Sequence, residues 1–391
     1  MPPFFVSIVH NYFMNDYSDH IAIIGAGISG LALGCTLKKA GVSCVIFERS
    51  SGVSEYGAGI SISPNGLRVL KYLNIDEQLK ELSGNPKKAS LFSKGTKITS
   101  FPVEVVTTSR QTLYKVLLES YLSLGGKILF DHELVEIDLD APNIHFSNKS
   151  SFKVIHIAAC DGIKSFCRKQ CIPLSGEAVY SGYSVWRAIE ERKQENIETH
   201  LGANFHIVTY PISENRTSFV AAIKTTQAHE ESWKVKGSYD EMSSELPSQV
   251  ADIISSLKLN NDLFKWGVYT RPKAINLYAN NITFLGDAAH PIVPFIGQGG
   301  CLALEDAYIF GELVSKFKND FDKIQHCYQS LRLKRVNQIQ RASEIQGRLN
   351  HISNPVITFF RNWIMKYTPI VQYRLMWIWS HDLAKEIKKT N

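Results

Sequence analysis

Residues 20–48 read HIAIIGAGISGLALGCTLKKAGVSCVIFE, and this stretch decides the fold. The apolar run His20–Ile24 predicts a buried strand, and the glycine-rich sequence Gly25–Gly30 follows it at once. A helical pattern and a second apolar strand come next, and that strand ends at Glu48, 18 positions beyond the last glycine of the motif. A GxGxxG sequence is weak evidence by itself. Between a strand and a helix, with a carboxylate at this distance, it is typical of a dinucleotide-binding βαβ unit.

Each glycine of this motif has a separate predicted role. Gly25 allows the tight turn, Gly27 lets backbone N–H groups approach a pyrophosphate, and Gly30 lets the helix pack closely on the sheet. Glu48 can accept hydrogen bonds from both hydroxyls of a ribose, and its charge would repel a 2′-phosphate. We therefore expect a ligand that contains ADP, which means FAD or NAD.

A second decisive stretch lies far along the chain, where residues 281–307 read NITFLGDAAHPIVPFIGQGGCLALEDA. A short apolar strand ends at Asp287, and prolines including Pro294 exclude a helix from the loop that follows. The GQGG sequence at 297–300 lets backbone approach a ligand closely before a helix begins at about Cys301. A carboxylate at a strand end and a glycine-rich helix N-terminus predict a site for a ligand with hydroxyl groups and an anionic edge.

Three segments between these stretches supply further candidates for the same ligand. In residues 55–73, Ala58 lies between two glycines, in a segment that looks like the stretch under an isoalloxazine ring. Arg110 at the start of a helix offers a cation to a pyrophosphate, or is only a surface helix cap. Leu134 lies in an alternating segment that could present backbone to an adenine. Asp161 follows a buried strand and precedes a short helical turn, so it could hold a ribityl or pyrophosphate group.

Composition excludes several classes of protein. The length of 391 residues suggests two domains or one large α/β domain with an inserted part, and the net charge of +6 indicates no strongly charged surface. Basic residues are scattered, so we expect no nucleic-acid partner. Seven cysteines show no CxxC pair and no zinc-ligand spacing, which indicates no metal site and reduced thiols in a cytoplasmic protein.

The ends of the chain carry apolar segments that are too short or too interrupted to cross a membrane. Residues 1–19 are predicted to be a disordered extension, and Met14 is an alternative start. The apolar segment Val356–Trp379 is interrupted by charged residues and a proline, which predicts amphipathic helices on the body of the protein. These Trp-containing helices offer an interface for a homodimer, and a peripheral membrane contact stays open.

From about Val179 the pattern changes to longer segments that alternate with period two, which predicts an inserted antiparallel sheet. We therefore expect a discontinuous nucleotide-binding domain over 20–178 and 275–350. A substrate domain with a mixed antiparallel sheet is predicted over 179–274, and C-terminal helices over 351–391.

Three separated motifs, GAGISG with Glu48, CDGIKSFCR at 160–168 and the 281–307 stretch, together resemble the FAD-dependent monooxygenases of the para-hydroxybenzoate hydroxylase fold. The GAGISISPNGLRVL and SRQTLYKVLLE segments resemble the branch with salicylate, urate and zeaxanthin enzymes. The resemblance covers about residues 20–350. It implies an α/β fold, with a Rossmann-like FAD-binding domain of the GR2 type, an inserted antiparallel-sheet substrate domain and C-terminal helices.

The resemblance also implies the chemistry. NADH or NADPH would reduce the FAD, and one oxygen atom of O2 would enter a small aromatic or heterocyclic substrate through a hydroperoxide at flavin C4a. The implied contacts to the cofactor are made by Gly25, Gly27, Gly30, Glu48, Arg49, Ala58, Arg110, Leu134, Asp161, Asp287, Gly297, Gly299 and Gly300. Pro294 and Gly297 would line the oxygen-transfer site.

Candidates on the substrate side come from the inserted sheet. Tyr210 and His206 alternate in register on one strand and should face the same side, and Arg187 could pair with a carboxylate. Each is also consistent with a purely structural role: a core tyrosine, a satisfied histidine and a salt-bridged arginine. The strand ANFHIVTYPI contains no arginine where urate hydroxylases use one, which weakens urate as the substrate. An epoxidase or a tetracycline-type hydroxylase stays open, and a non-redox binding protein on this fold is a remote alternative.

Overall fold

The computed structural model describes residues 17–52, 58–139, 142–172, 177–226, 235–247, 250, 263–318 and 320–390. Most of the predicted N-terminal extension, including Met14, lies outside the described residues, as do residues 55–57 of the segment before Ala58.

The strands of the described residues, in chain order, are β1 (Tyr17–Ile24), β2 (Cys44–Phe47), β3 (Gly59–Ile62), β4 (Lys88–Ser93), β5 (Thr96–Pro102), β6 (Val106–Ser109), β7 (Ile128–Leu129), β8 (Leu134–Asp138), β9 (Asn143–Phe146), β10 (Ser151–Ala159), β11 (Val179–Glu190), β12 (Ile197–Gly202), β13 (Phe205–Pro211), β14 (Thr217–Lys224), β15 (Phe264–Thr270), β16 (Tyr278–Ala279) and β17 (Ile282–Phe284). The helices are α1 (Ile28–Lys39), α2 (Pro64–Tyr72), α3 (Asp76–Glu81), α4 (Arg110–Ser123), α5 (Phe166–Cys171), α6 (Tyr239–Glu245), α7 (Gly299–Phe317), α8 (Phe321–Asn350), α9 (Pro355–Tyr367), α10 (Ile370–Trp379) and α11 (Leu383–Lys388).

The first sheet contains the predicted βαβ unit. Its strands run in the order β16-β17-β10-β1-β2-β7, and β1, β2, β7, β10 and β17 pair in parallel. Residues 21–24, 44–47, 157–159 and 282–284 of these strands are buried, and all of them but Thr283 are apolar, as a parallel sheet that is covered on both faces requires. Because the strands are parallel, their carboxyl ends meet at one edge, which places the segments after β1, β2, β10 and β17 together.

The first strand begins at Tyr17, so three residues of the predicted extension belong to it. Tyr17 pairs with Val154 of β10, and its ring contacts Phe47 and Phe152 edge-on, with centroids 6.2 and 5.4 Å away. Burial of this aromatic ring holds the residue in the strand.

The second sheet has seven strands in the order β15-β11-β14-β13-β12-β4-β5. The predicted antiparallel strands are present in it. The hairpin of β4 and β5 was not predicted to join it, because residues 88–102 were assigned to the nucleotide-binding part. β4 pairs in parallel with β12, from Ala89 opposite Ile197 to Ser93 opposite Leu201, and this long-range pairing explains the difference.

The two faces of the second sheet have different neighbours. One face buries Trp186, Ile207 and Phe219 against α6 and the residues after it. The other face packs Val185, Ala222 and Trp266 against Val293 and Phe295, in the loop that precedes α7. The second face therefore borders the loop where the sequence predicts chemistry.

The C-terminal helices pack against the rest of the molecule. α7 packs on α1 and α8, and α9 and α10 pack on the β4–β5 side of the second sheet. Among the helices of the described residues, none has the length and apolar character that a membrane crossing needs. Together the two sheets and the helices confirm the α/β architecture expected from the sequence.

Candidate functional site

The loop between β1 and α1 is closely packed at two of its glycines and open at the third. Gly25 has φ of 102°, and a Cβ there would lie 2.6 Å from the carbonyl oxygen of Cys160. A Cβ on Gly30 would lie 2.0 Å from the carbonyl oxygen of Gly25. A Cβ on Gly27, at the N-terminus of α1, would meet no atom within 4 Å. The loop thus leaves open space at the helix N-terminus, where an anion binds favourably.

Glu48 lies at the end of β2, beside this loop. Its Oε2 accepts a hydrogen bond of 2.8 Å from the backbone N–H of Ala26, and its Oε1 accepts one of 2.9 Å from Ser50 N–H. A carboxylate has about four acceptor positions, so it retains capacity for a ribose. Arg49 beside it is exposed. Leu134 is buried at the start of β8. Two residues before Leu134, the N–H of His132 donates a 2.9 Å hydrogen bond to the backbone carbonyl of Glu48.

Asp161 follows β10 at the same sheet edge. Its Oδ2 accepts a 3.0 Å hydrogen bond from Cys167 N–H, whereas Oδ1 is buried and meets no donor among the described residues. Burial raises the pKa of this carboxyl group. The adjacent helix α5 is capped by Ser165, whose Oγ accepts a 3.0 Å hydrogen bond from Arg168 N–H. Asp161 is therefore held through one oxygen, and the other oxygen is available for a donor supplied by a ligand.

Arg271, which sequence reasoning missed, connects the Asp161 and Asp287 loops. Its guanidinium donates to the carbonyl oxygens of Asp287 and Ala288, at 3.3 and 3.4 Å, and to that of Ile163. Burial lowers the pKa of Arg271, and the neighbouring carboxylates oppose that shift. The Asp287 side chain itself is exposed at the turn after β17. In the sequence, the only indication of this role of Arg271 was its position between an alternating strand and a proline.

The loop before α7 brings Pro294, Gly297, Gly299 and Gly300 next to β3. Pro294 starts a short 3-10 turn, and Gly297 closes it with φ of 63° and a 3.0 Å hydrogen bond from its N–H to the Pro294 carbonyl. A Cβ on Gly299 would meet no atom within 4 Å, whereas one on Gly300 would lie 2.6 Å from Ile60 Cδ1. The first turn of α7 therefore presents free space and N–H groups beside β3.

Ala58, immediately before β3, and Arg110 lie on the same side of this region. The Arg110 N–H donates a 2.8 Å hydrogen bond to the Ala58 carbonyl, which ties the start of α4 to the start of β3. The two predicted contacts are thus neighbours in space, although 52 positions separate them in the chain.

A buried polar network, also missed from the sequence, fixes the N-terminus of α7. Asn65 Nδ2 donates to Gln298 Oε1 at 3.0 Å and to Glu305 Oε1 at 2.7 Å. Gln298 Nε2 donates to Ser63 Oγ at 2.8 Å. The helix that would meet the ligand is thereby joined to the β3–α2 segment. An acidic pair inside an otherwise apolar helix was the available signal.

On the second sheet, Arg187 and Tyr210 lie on the face that borders the loop before α7. The guanidinium of Arg187 lies 4.1 Å from the centroid of the Trp266 ring. Burial lowers its pKa to about 9, and the nearby Tyr210 opposes that shift. Tyr210 is buried, which raises its pKa, and a Cβ on Gly59 of β3 would lie 2.6 Å from its hydroxyl oxygen. Tyr210 therefore reaches β3 at Gly59.

His206 lies on the same face as Tyr210, as the register predicts, but at a different place. Its Nδ1 is 2.6 Å from Nε2 of His351, the residue after α8, and its ring contacts Phe295 edge-on at 5.4 Å. Burial lowers the pKa of His206 to about 4 and that of His351 to about 2. At neutral pH both rings are uncharged, so His206 is a poor match for a base that needs a pKa near 7.

These features fit FAD better than an empty glycine turn. Gly25, Glu48, Asp161 and Asp287 follow the carboxyl ends of β1, β2, β10 and β17, which meet at one edge of the first sheet. His206 lies beside Phe295.

Comparisons with known proteins agree with this geometry. The family model described as "FAD binding domain" matches residues 19–343. A 3-amino-4-hydroxybenzoate 2-monooxygenase of Streptomyces platensis is 25% identical over 355 residues, which cover 85% of this chain and 88% of the relative. A 3-hydroxybenzoate 6-hydroxylase of Polaromonas naphthalenivorans is 26% identical, covering 94% of this chain and 98% of the relative. A Klebsiella pneumoniae structure with FAD and uric acid superposes with a TM-score of 0.80 at 21% identity, covering 94% of this chain and 96% of that one.

Proposed function

Because the chain belongs to the FAD-binding domain family and is an FAD-dependent monooxygenase, we propose that it uses NADH or NADPH to hydroxylate a small, anionic aromatic compound. The observation that carries this proposal is the buried Arg187 cation beside Tyr210, on the sheet face that borders β3 and the loop before α7. The two relatives named above act on hydroxybenzoates, which are aromatic acids of this type.

Bound FAD would supply the activation of O2 and the transfer of one oxygen atom to the substrate. Gly27 and the α1 N-terminus would accept the pyrophosphate, Glu48 the ribose and Asp161 Oδ1 a donor from the cofactor. Asp287 at its exposed turn would bond the ribityl hydroxyls. The N–H groups at Gly299 and Gly300 would stabilise negative charge on the edge of the flavin ring.

The substrate would lie against Arg187 and Tyr210, on the face of the second sheet that borders the loop before α7. A guanidinium with a pKa of about 9 remains charged at neutral pH, so Arg187 can bind a carboxylate there. Tyr210, with a raised pKa, remains a neutral phenol that can donate or accept a hydrogen bond. Pro294, Phe295 and Gly297 would close the chamber against water, which protects the reactive oxygen from loss.

We propose that the two sheets belong to domains with different binding functions. A discontinuous domain of residues 20–178 and 275–350 would bind FAD, and residues 179–274 would bind the substrate. The β4–β5 hairpin, at 88–102, extends the substrate side, since both strands belong to the second sheet. Residues 351–391 add the C-terminal helices.

The test measures NADH and NADPH consumption by FAD-loaded protein with a panel of hydroxy- and aminobenzoates, each paired with its uncharged methyl ester. With ¹⁸O2, the product should gain one labelled oxygen atom. We expect the acids to have kcat/KM values about tenfold or more above those of the esters, because a charged hydrogen bond contributes about 1.5–3 kcal/mol. Equal values for acid and ester would exclude the anionic substrate. A protein that binds no FAD would exclude the cofactor site as well.

A further inference from the structure

The two helices α9 and α10 bear exposed aromatic side chains that the reaction does not use, and on α9 the rings of Phe359 and Phe360 and those of Trp363 and Tyr367 contact each other. We define these exposed side chains as the C-terminal aromatic surface, formed by Phe359, Phe360, Trp363, Tyr367, Tyr373 and Trp377. Between 45% and 68% of each of these side chains is exposed to solvent. Soluble proteins expose single apolar residues routinely, but a contiguous patch of large ones marks an interaction site.

The exposure of these aromatic side chains follows from the orientation of the two helices on the sheet. On α9, the 3.6-residue repeat places Phe359, Phe360, Trp363 and Tyr367 on one face, and the buried Met365 lies on the opposite face. On α10, Val371 and Leu375 pack on the β4–β5 hairpin while Tyr373 points away from it. Each helix is therefore apolar on its inner and its outer face. The inner face is covered by the sheet, and the described residues leave the outer face uncovered.

We propose that the C-terminal aromatic surface docks on an anionic lipid bilayer and lies in its interface. The charges around the surface favour this occupant. The sequence contains no Asp or Glu between Glu344 and Asp382, whereas Lys366 and Arg374 lie on the two helices themselves. A cationic face without carboxylates complements anionic headgroups.

The same charges disfavour a second copy of this chain as the occupant. A two-fold symmetric contact brings one patch against itself, so Lys366 and Arg374 would meet the same cations with no carboxylate to pair with. The side chains are also the kinds that suit a membrane interface, since Trp and Tyr combine an apolar body with a polar tip. α9 and α10 have 13 and 10 residues, so they would lie on the bilayer rather than cross it.

Vesicle sedimentation of the full-length, FAD-loaded protein tests the proposal, which stands independently of the substrate. We expect binding to vesicles of phosphatidylcholine mixed with phosphatidylglycerol to be about tenfold or more tighter than to pure phosphatidylcholine, because each nearby cation favours anionic lipid. The double variant Phe359→Gln/Trp363→Gln should lose about tenfold or more of that binding, since two apolar anchors are removed. Lys366→Gln should reduce the preference for phosphatidylglycerol.

A matched control replaces two equally exposed leucines elsewhere, in the variant Leu82→Gln/Leu122→Gln, which should bind vesicles like the unchanged protein. Unchanged FAD content and thermal denaturation would show that each variant is folded. The proposal is overturned if the unchanged protein fails to bind anionic vesicles, or if the control variant loses as much binding as Phe359→Gln/Trp363→Gln. Light scattering that shows a dimer dissociated by Phe359→Gln/Trp363→Gln, without vesicle binding, would assign the surface to a second copy instead.

Discussion

We propose that the Arg187 side chain determines which substrates the chamber can bind. Burial against Trp266 removes much of its hydration, and a charge-assisted hydrogen bond from the guanidinium to a substrate carboxylate would be strong in these surroundings. We expect Arg187→Gln to raise KM for an aromatic acid by about tenfold to a hundredfold, with a smaller change in kcat. Steady-state kinetics on the acid and on its methyl ester measure this effect.

The pKa of Arg187 also predicts how KM for an aromatic acid depends on pH. The cation persists below its pKa of about 9 and is lost above it, so KM of the unchanged enzyme for the acid should rise above about pH 9. In Arg187→Gln that rise should disappear. Arg216→Gln, an exposed arginine beside the turn between β13 and β14, serves as the control and should change neither value. An equal KM increase for acid and ester would show that Arg187 only supports the sheet.

The His206–His351 pair makes a prediction about stability in acid. Both pKa values are depressed from 6.5, to about 4 and about 2, so the unfolded chain binds more protons at mildly acidic pH. The contribution of this pair to the free energy of unfolding is therefore fully present above pH 6.5 and decreases as the pH falls towards 4. For His206 alone the loss reaches about 3 kcal/mol, since one pKa unit corresponds to about 1.4 kcal/mol.

Urea denaturation at several pH values checks this expectation. His206→Gln should flatten the dependence of the unfolding free energy on pH between about 6.5 and 4, compared with the unchanged protein. His326→Gln, at an exposed histidine of α8, should leave the dependence as it is. Parallel curves for the unchanged protein and His206→Gln would mean that the pKa of His206 is the same in the folded and unfolded states.

In the loop between β1 and α1, one glycine is needed for folding and another for the binding of FAD. A Cβ on Gly30 would collide with the Gly25 carbonyl at 2.0 Å, whereas one on Gly27 would enter open space. We expect Gly30→Ala to destabilise the protein whether or not FAD is present. Gly27→Ala should lower the stability of the FAD-free protein by only about 1 kcal/mol, because Ala is a poorer N-cap residue than Gly by about that amount.

Binding measurements complete this comparison. Gly27→Ala should weaken FAD binding by about tenfold or more, because its methyl group occupies the space of the pyrophosphate. Fluorescence titration of the FAD-free protein gives the affinity, and thermal denaturation without FAD gives the stability. Normal FAD affinity in Gly27→Ala would mean that the cofactor takes another path across α1.

The elements that sequence reasoning predicted well are those with local signals. The strand–glycine–helix order around Gly25 and the apolar runs of β10 and β17 are contained in short windows, so their positions followed from pattern alone. The pairing of the β4–β5 hairpin with the second sheet was not predicted, because its partner β12 lies about a hundred residues away. Arg271 and Asn65 were missed for the same reason, since each contacts residues far along the chain.

At the scale of the whole molecule, a buried ion network joins the last long helix to the predicted cofactor site. Arg332 of α8 donates to Glu305 Oε2 and Asp306 Oδ1, both at 2.7 Å. Asp306 in turn accepts from Gly286 N–H at 2.9 Å and contacts His290 at 2.6 Å, which fixes the turn that carries Asp287. Burial alone would raise the pKa of Glu305, but Arg332 and Arg335 lower it to about 2.

Removing Arg332 would leave two buried carboxylates short of a cation, and that is costly even where an intact buried pair adds little stability. We expect Arg332→Met to lower the free energy of unfolding by about 3–5 kcal/mol. It should also weaken FAD binding, because the Asp287 turn loses its support. Arg341→Met, at an exposed position on the same helix, should change stability by less than about 0.5 kcal/mol. Urea denaturation with and without FAD distinguishes the two effects. If Arg332→Met proved as stable as Arg341→Met, the ion pairs of Arg332 would contribute little to stability, and the link between the end of the chain and the cofactor site would be absent.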